Sequence, residues 1–180
     1  APIGPQGRDI AFQLAVPSEW GLKAGSFGEQ IEFSLLDLSG NEVDRLLLTV
    51  NINIPEAVAL RVVGATGTND IARINLGNVS STTTTTSDPF GIRIWSTSGY
   101  RVALSSDNEG QLVHEGNLDR FAYRLNFDGQ IVNLTGGDAF LFPEHTPSLG
   151  RVHPLRVQAG PARARAGYYE DRGTVTVTPV

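Results

Sequence analysis

Three histidines carry most of the chemistry this chain could perform: His114, His145 and His153. His114 opens His-Glu-Gly-Asn at 114–117, which lacks the second histidine one helical turn on that a zinc-binding helix needs. His145 lies between Glu144 and Thr146, and His153 precedes Pro154, so both read as loop or strand-end residues rather than metal ligands. The acidic pairs Asp107 with Glu109 and Glu170 with Asp171 are the candidates for paired-carboxylate work. Their separation in space would decide it, and each pair falls in a predicted turn, where acidic side chains serve the backbone. Asp-Asn-Glu-Gly at 107–110 offers at most weak oxygen ligands for calcium. Gly-Ala-Thr-Gly-Thr-Asn-Asp at 64–70 is glycine-rich but lies between strand-like runs with no helix after it, so it reads as a turn and not a phosphate cradle. No nucleophile elbow occurs. With no cysteine, thiolate zinc sites, disulfides and cysteine nucleophiles are all excluded. The expectation is a protein that is not an enzyme and carries no cofactor.

Composition narrows the class further. The chain has 180 residues, 40% of them hydrophobic and 18% charged, which is enough apolar material for one buried core. A net charge of −5 argues against nucleic acid as a partner. No apolar run approaches the length of a membrane helix; the densest spot is Leu46–Leu48, so the chain is not expected to be membrane-embedded. The chain begins Ala-Pro-Ile-Gly and contains no methionine, so the expectation is either that a secretory leader has been removed or that an upstream segment is missing.

The elements that position these residues are strands. Ile10, Phe12, Leu14 and Val16 recur at every second position, as do Leu46, Leu48, Val50, Ile52 and Ile54, with Asn51 and Asn53 on the opposite face. The same period of two marks Ile92 and Ile94, Tyr100 to Leu104, Phe121 to Phe127, and Val175 with Val177. Twenty glycines and ten prolines punctuate the runs, and Asp128-Gly129 is a tight hairpin turn. Eight to ten short strands at this spacing predict an antiparallel sandwich. The Ser/Thr run at 80–87 reads as a solvated edge, since consecutive threonines in a strand alternate faces. Arg-Ala-Arg at 163–165 reads as a loop.

The two ends of the chain repeat one another. Gly-Arg at 7–8 is followed by Phe12 and Leu14, and Gly-Arg at 150–151 by Leu155 and Val157. Ala-Gly then leads to an aromatic residue and an alternating run in both places: Ala24, Gly25, Phe27 and Ile31, against Ala166, Gly167, Tyr169 and Val175. A lone hairpin is marginal in water, so segment 7–37 must pack onto the rest, complete the sheet of another copy, or close a domain that begins earlier. The division expected is an N-terminal arm or hairpin over 1–43 and a domain over 44–180.

Several segments resemble the spore coat protein U-type domain of secreted chaperone–usher pilus subunits. They are Ile-Asn-Leu-Gly at 74–77, Tyr100 to His114, Phe121 to Gly129, Gly-Arg-Val-His-Pro-Leu at 150–155, and the ending Ala-Gly-Tyr-Tyr-Glu-Asp-Arg-Gly-Thr-Val-Thr-Val-Thr-Pro at 166–179. The missing cysteines and the extra segment 7–37 depart from that pattern. The resemblance implies an immunoglobulin-like antiparallel β-sandwich that lacks one strand and has a groove in its place. It also implies a structural subunit of an extracellular fibre, polymerising with other copies by donor-strand exchange, with a periplasmic chaperone and an outer-membrane usher as further partners. The expected donor strand is Ile10, Phe12, Leu14 and Val16. The alternative donor, or first strand of the domain, is Leu46, Leu48, Val50, Ile52 and Ile54, and Val175 and Val177 are the groove-lining candidates. The rival expectation is a secreted carbohydrate-binding or adhesive tip module, contacting its ligand through Trp20, Trp95, Tyr100 and Tyr168.

Overall fold

Alternating side chains bury one face of each run and leave the other in water, and the ladders then satisfy the backbone. The outcome is an all-β chain. A computed structural model describes residues 13–16, 19–68 and 71–180. Among the described residues there is no helix, and the strands in order are β1 (Gly25–Leu36), β2 (Glu42–Ile54), β3 (Val58–Val63), β4 (Thr66–Gly67), β5 (Ala72–Arg73), β6 (Thr85–Thr86), β7 (Phe90–Ser96) and β8 (Tyr100–Ser106). There follow β9 (Gln111–His114), β10 (Arg120–Phe127), β11 (Gln130–Ile131), β12 (Asp138–Phe142), β13 (Arg151–Ala159), β14 (Tyr169–Glu170) and β15 (Gly173–Pro179).

Two sheets form the sandwich. The larger runs β14-β9-β10-β13-β7-β3, with β11 on β10 and β6 on β13; the smaller runs β12-β8-β15. All ladders are antiparallel, as expected of an immunoglobulin-like sandwich. Ile92, Ile94, Phe127 and Leu155 from the larger sheet meet Tyr100, Val102 and Leu104 from the smaller one, and all seven are buried. Phe140 and Phe142 of β12 and Val175 and Val177 of β15 close the core from the small sheet. The turn at Asp128-Gly129 forms as expected, with both residues at positive φ (50° and 84°). The Ser/Thr run is mostly exposed, but its end is structural: Ser87 is buried and exchanges hydrogen bonds with Val157.

The first two strands stand apart from this sandwich. β1 and β2 pair only with each other, in register from Gly25↔Ile54 to Leu35↔Asp44, with a bulge at Leu35/Leu36. The boundary expected between residues 43 and 44 therefore cuts through β2. The unit is the hairpin 25–54, and the sandwich begins with β3, because the alternation over 46–54 is satisfied by pairing with β1 and not by joining the domain's sheets. Thr97 roots the hairpin. Its carbonyl accepts from Ala24 N–H at 2.6 Å, and its hydroxyl donates to Pro55 O (2.9 Å) and accepts from Ala57 N–H (2.8 Å).

Candidate functional site: a groove beside the last strand

β15 is held on one side only. Its ladder to β8 runs from Gly173↔Ser106 to Pro179↔Tyr100, and no described residue pairs with its other edge. β3 is likewise bonded to β7 alone, and it approaches β15 without joining it. Between these two edges the interior opens into a groove of about 480 Å³. Leu60 and Val62 of β3 form one wall, and Gly173, Thr174 and Val175 form the other. Ile92, Leu104, Leu125 and Leu155 supply an apolar floor from both sheets. Ala72, Ile74 and Leu76 add a further wall from an extended segment in which these three side chains are half-buried while their neighbours are exposed.

One end of the groove is polar and fully tied. Asp171 accepts from Tyr123 Oη (2.7 Å) and Ser106 Oγ (2.5 Å) through one oxygen, and from the Asn108 backbone and side-chain amides through the other. Burial, then the bond to Asp171, pushes the Tyr123 phenol well above its usual range. This carboxylate staples the turn after β8 to the start of β15; its lone pairs are already used by amides and hydroxyls. Among the described residues no three of His, Asp and Glu converge as a metal site.

A second polar cluster has the look of a proton relay. His153 Nδ1 lies 2.5 Å from Asp128 Oδ2, and its Nε2 lies 2.8 Å from the Tyr100 hydroxyl. The imidazole packs between Phe127 and Phe142, and both His153 and Tyr100 are closed off from solvent. Neither residue lines the groove or the open cleft at the root of the hairpin, and only the Asp128 end of the chain of bonds reaches solvent. Its work is structural: it satisfies a buried histidine that sequence reading placed in a loop or strand end.

The expected site residues fall as follows. Val175 lines the groove; Val177 lies outside its lining and packs against the core. Ile10 and Phe12 lie outside the described residues. Leu14 and Val16 belong to no strand and are 55% and 53% exposed. In β2, Leu48, Val50, Ile52 and Ile54 are half-buried on one face, whereas Leu46 is 64% exposed. The four aromatics do not form a ligand platform. Tyr100 is wholly buried, since its alternation with Val102 and Leu104 points it into the core, so it cannot contact a ligand. Trp95 lies under the Arg93 guanidinium, and Tyr168 is an isolated exposed ring. Trp20 lines an open cleft of about 830 Å³ at the root of the hairpin, with Val16, Ile52, Ile54 and Leu149. The groove residues that sequence reading missed, Leu60, Val62 and Ile74, carry the same period of two, but nothing local marks which alternating run borders a gap.

No protein-family model matches the chain, and no curated protein matches it by sequence. Among solved structures, a chain from one described as "Chaperone-tip adhesin complex is vital for synergistic activation of CFA/I fimbriae biogenesis" superposes with a TM-score of 0.56 at 15% identity. The match covers 88% of this chain and 54% of that one, so this chain spans about half the length of that neighbour. At this identity the likeness establishes the fold: an all-β architecture shared with a fimbrial assembly. No helix among the described residues is long and apolar enough to cross a membrane.

Proposed function

We propose that the chain is a structural subunit of an extracellular, pilus-like fibre, joined to its neighbours by donor-strand exchange, and that it is not an enzyme. The observation that carries this reading is the unpaired edge of β15 above an apolar groove. An added strand would bond its backbone to that edge and drop alternate side chains between Leu60 and Val175, which is the physics of β-augmentation. The donor is segment 8–16 of another copy. Its four apolar side chains, at about 1.5–3 kcal/mol each, supply roughly 6–12 kcal/mol before ordering costs. The fimbrial fold neighbour and the resemblance to the spore coat protein U-type domain support the same reading, together with its surface location and its chaperone and usher partners.

Negative-stain electron microscopy of the purified chain, before and after brief heating, tests it. Thin filaments that persist, and that vanish in Leu14→Asp and in Leu60→Asp, are the expected result. Uniform single particles at every concentration, or filaments indifferent to both substitutions, overturn the proposal. A second reading, an adhesive tip module, draws on one feature: Trp20 beside Glu19, Asn53 and Ser148 in the basal cleft. Glycan-array binding lost in Trp20→Ala would favour it.

A further inference from the structure

The charges of this molecule are sorted by place. The strands β3, β7, β13 and β10 are neighbours in the larger sheet. They carry six of the chain's fourteen Lys and Arg residues and none of its nineteen Asp and Glu. Alternation sends five of the six to the outer face, away from the core. Ile92 and Ile94 point inward, so Arg93 points out, and Arg61 lies directly opposite it across the β3–β7 ladder. Tyr123, Leu125 and Phe127 point inward, so Arg120 and Arg124 point out; His153 and Leu155 are buried, so Arg156 points out. The sixth, Arg151, is in register with Ile94. Like charges opposite one another destabilise a sheet, and a carboxylate on the same face would offset the cost. These four strands supply none. The ion pairs of the described residues join Arg45 to Glu32 and Glu42, and His153 to Asp128. Glu170 shares the register of Arg120 through Val113, but it lies out on the edge strand β14. Arg61, Arg124 and Arg156 are exposed and bond through their side chains to no described residue.

We infer that this face binds a linear acidic polysaccharide, one bearing sulfate or carboxylate groups along its chain. Charge complementarity selects a polyanion, and the layout selects a glycan. Arg93 is in register with Val152, and Arg156 lies four residues further along β13, about 13 Å away. Val152 and Pro154, exposed and uncharged, lie between them. Charges so far apart suit a chain whose anionic groups are spaced by whole sugar rings. Duplex DNA presents a charge about every 1.7 Å along its axis, and the nineteen carboxylates elsewhere in the chain would repel so dense a partner. Amides also stand beside the guanidinium groups: Gln158 is in register with Arg124, and Asn126 with Arg156. An amide side chain both donates and accepts, as the hydroxyls that flank an anionic group on a sugar require.

The inference stands apart from the fibre reading and applies equally to a subunit or a free module. Heparin is the probe, with neutral dextran and duplex DNA beside it, and affinity for the full chain is measured by titration calorimetry at low and raised salt. Heparin should bind, with an affinity that falls as salt rises; dextran should not bind, and DNA should bind about tenfold more weakly or less. Arg124→Gln/Arg156→Gln should lower heparin affinity about tenfold and flatten its salt dependence. Arg61→Gln, at the other corner, should lower it by a smaller factor. Arg101→Gln/Arg172→Gln removes the same charge from exposed positions on the side of the small sheet and should change affinity less than about twofold. All five side chains are exposed, and an unchanged unfolding midpoint checks that each variant folds. Equal losses in the two double variants would show a response to net charge alone and overturn the site. Absence of heparin binding overturns it too, as does binding of dextran or DNA as tight as that of heparin. Filament formation enters no readout, so failure here and failure of the fibre reading are told apart.

Discussion

The hairpin and the sandwich are built from the same kind of sequence and meet opposite fates. Phe27 and Ile31 in β1 alternate as cleanly as Tyr100, Val102 and Leu104 in β8. Yet Phe27 is about half exposed and the β8 residues are buried. Period-two patterning is enough to make a strand and to choose which face is apolar. What covers that face is decided by partners remote in sequence: β15 and β12 flank β8, and β13 and β7 lie across the core. The hairpin has no such partner among the described strands. The difference teaches that an alternating run specifies a demand for cover without naming what meets it, and the groove beside β15 is where the described strands of the sandwich leave that demand open.

The sharpest way to break the comparison is to make one substitution in both regions. Phe127→Ala removes a buried ring packed on Phe140 and His153, and should cost about 3–5 kcal/mol in denaturant unfolding of the sandwich. Phe27→Ala should cost less than about 1 kcal/mol. Equal losses would mean that the hairpin face is as deeply buried as the core. His153→Phe comes next. It keeps the packing but strips Asp128 and the buried Tyr100 hydroxyl of their partner, for roughly 2–3 kcal/mol. An unchanged midpoint would show that water or another side chain takes the histidine's place.

How far could the sequence be read toward this picture? The all-β class, the Asp128-Gly129 turn and the central strands were legible because they rest on local rules: alternation, turn chemistry and glycine's positive φ. The repeat between the ends was legible too. The boundary at 43/44 was not, because strand pairing between residues 31 and 48 has no local mark. Tyr100 was offered as a ligand contact since aromatic type alone does not say which face of a strand it lies on; counting from Val102 and Leu104 would have put it inside. His153 was read as a loop or strand-end residue, and it does lie near the start of β13, but its burial was not legible because its partners, Asp128 and Tyr100, are 25 and 53 residues away. Thr97 gave no signal at all, yet it holds both legs of the hairpin.

That residue offers a smaller and more local test. Thr97→Val keeps the shape but leaves Pro55 O and Ala57 N–H without the hydroxyl, a loss of about 1–2 kcal/mol in unfolding. Because both groups sit at the junction, the amides of β2 nearest Ile54 should exchange faster while those of β8 keep their protection. If the loss spread evenly over both regions, the hairpin and sandwich would unfold as one cooperative unit and the contrast between them would concern exposure alone.

The smallest effect lies at the far end of the hairpin. The tip is closed by Asp37, whose Oδ1 accepts from the backbone amides of Ser39 (2.8 Å) and Asn41 (2.9 Å), with the Asn41 side-chain amide on Oδ2. These bonds, the Asn41 backbone first, hold its carboxyl below the usual carboxylate range. The folded tip thus prefers the ionised form more than the unfolded chain does. Its contribution to stability is present above the ordinary aspartate value and is lost as pH falls through the lowered one. The sandwich provides the reference, since Ile94 and Val102 are wholly buried in its core. On acidification from about pH 5 to about pH 2, the amide resonances of Ser39 and Asn41 should move together, with a midpoint below that of a free aspartate, while the resonances of Ile94 and Val102 hold still through that midpoint. Asp37→Asn should abolish the movement at the tip. A midpoint at the ordinary value would mean that the turn forms without help from the charge, and that pairing between β1 and β2 alone sets where the hairpin ends.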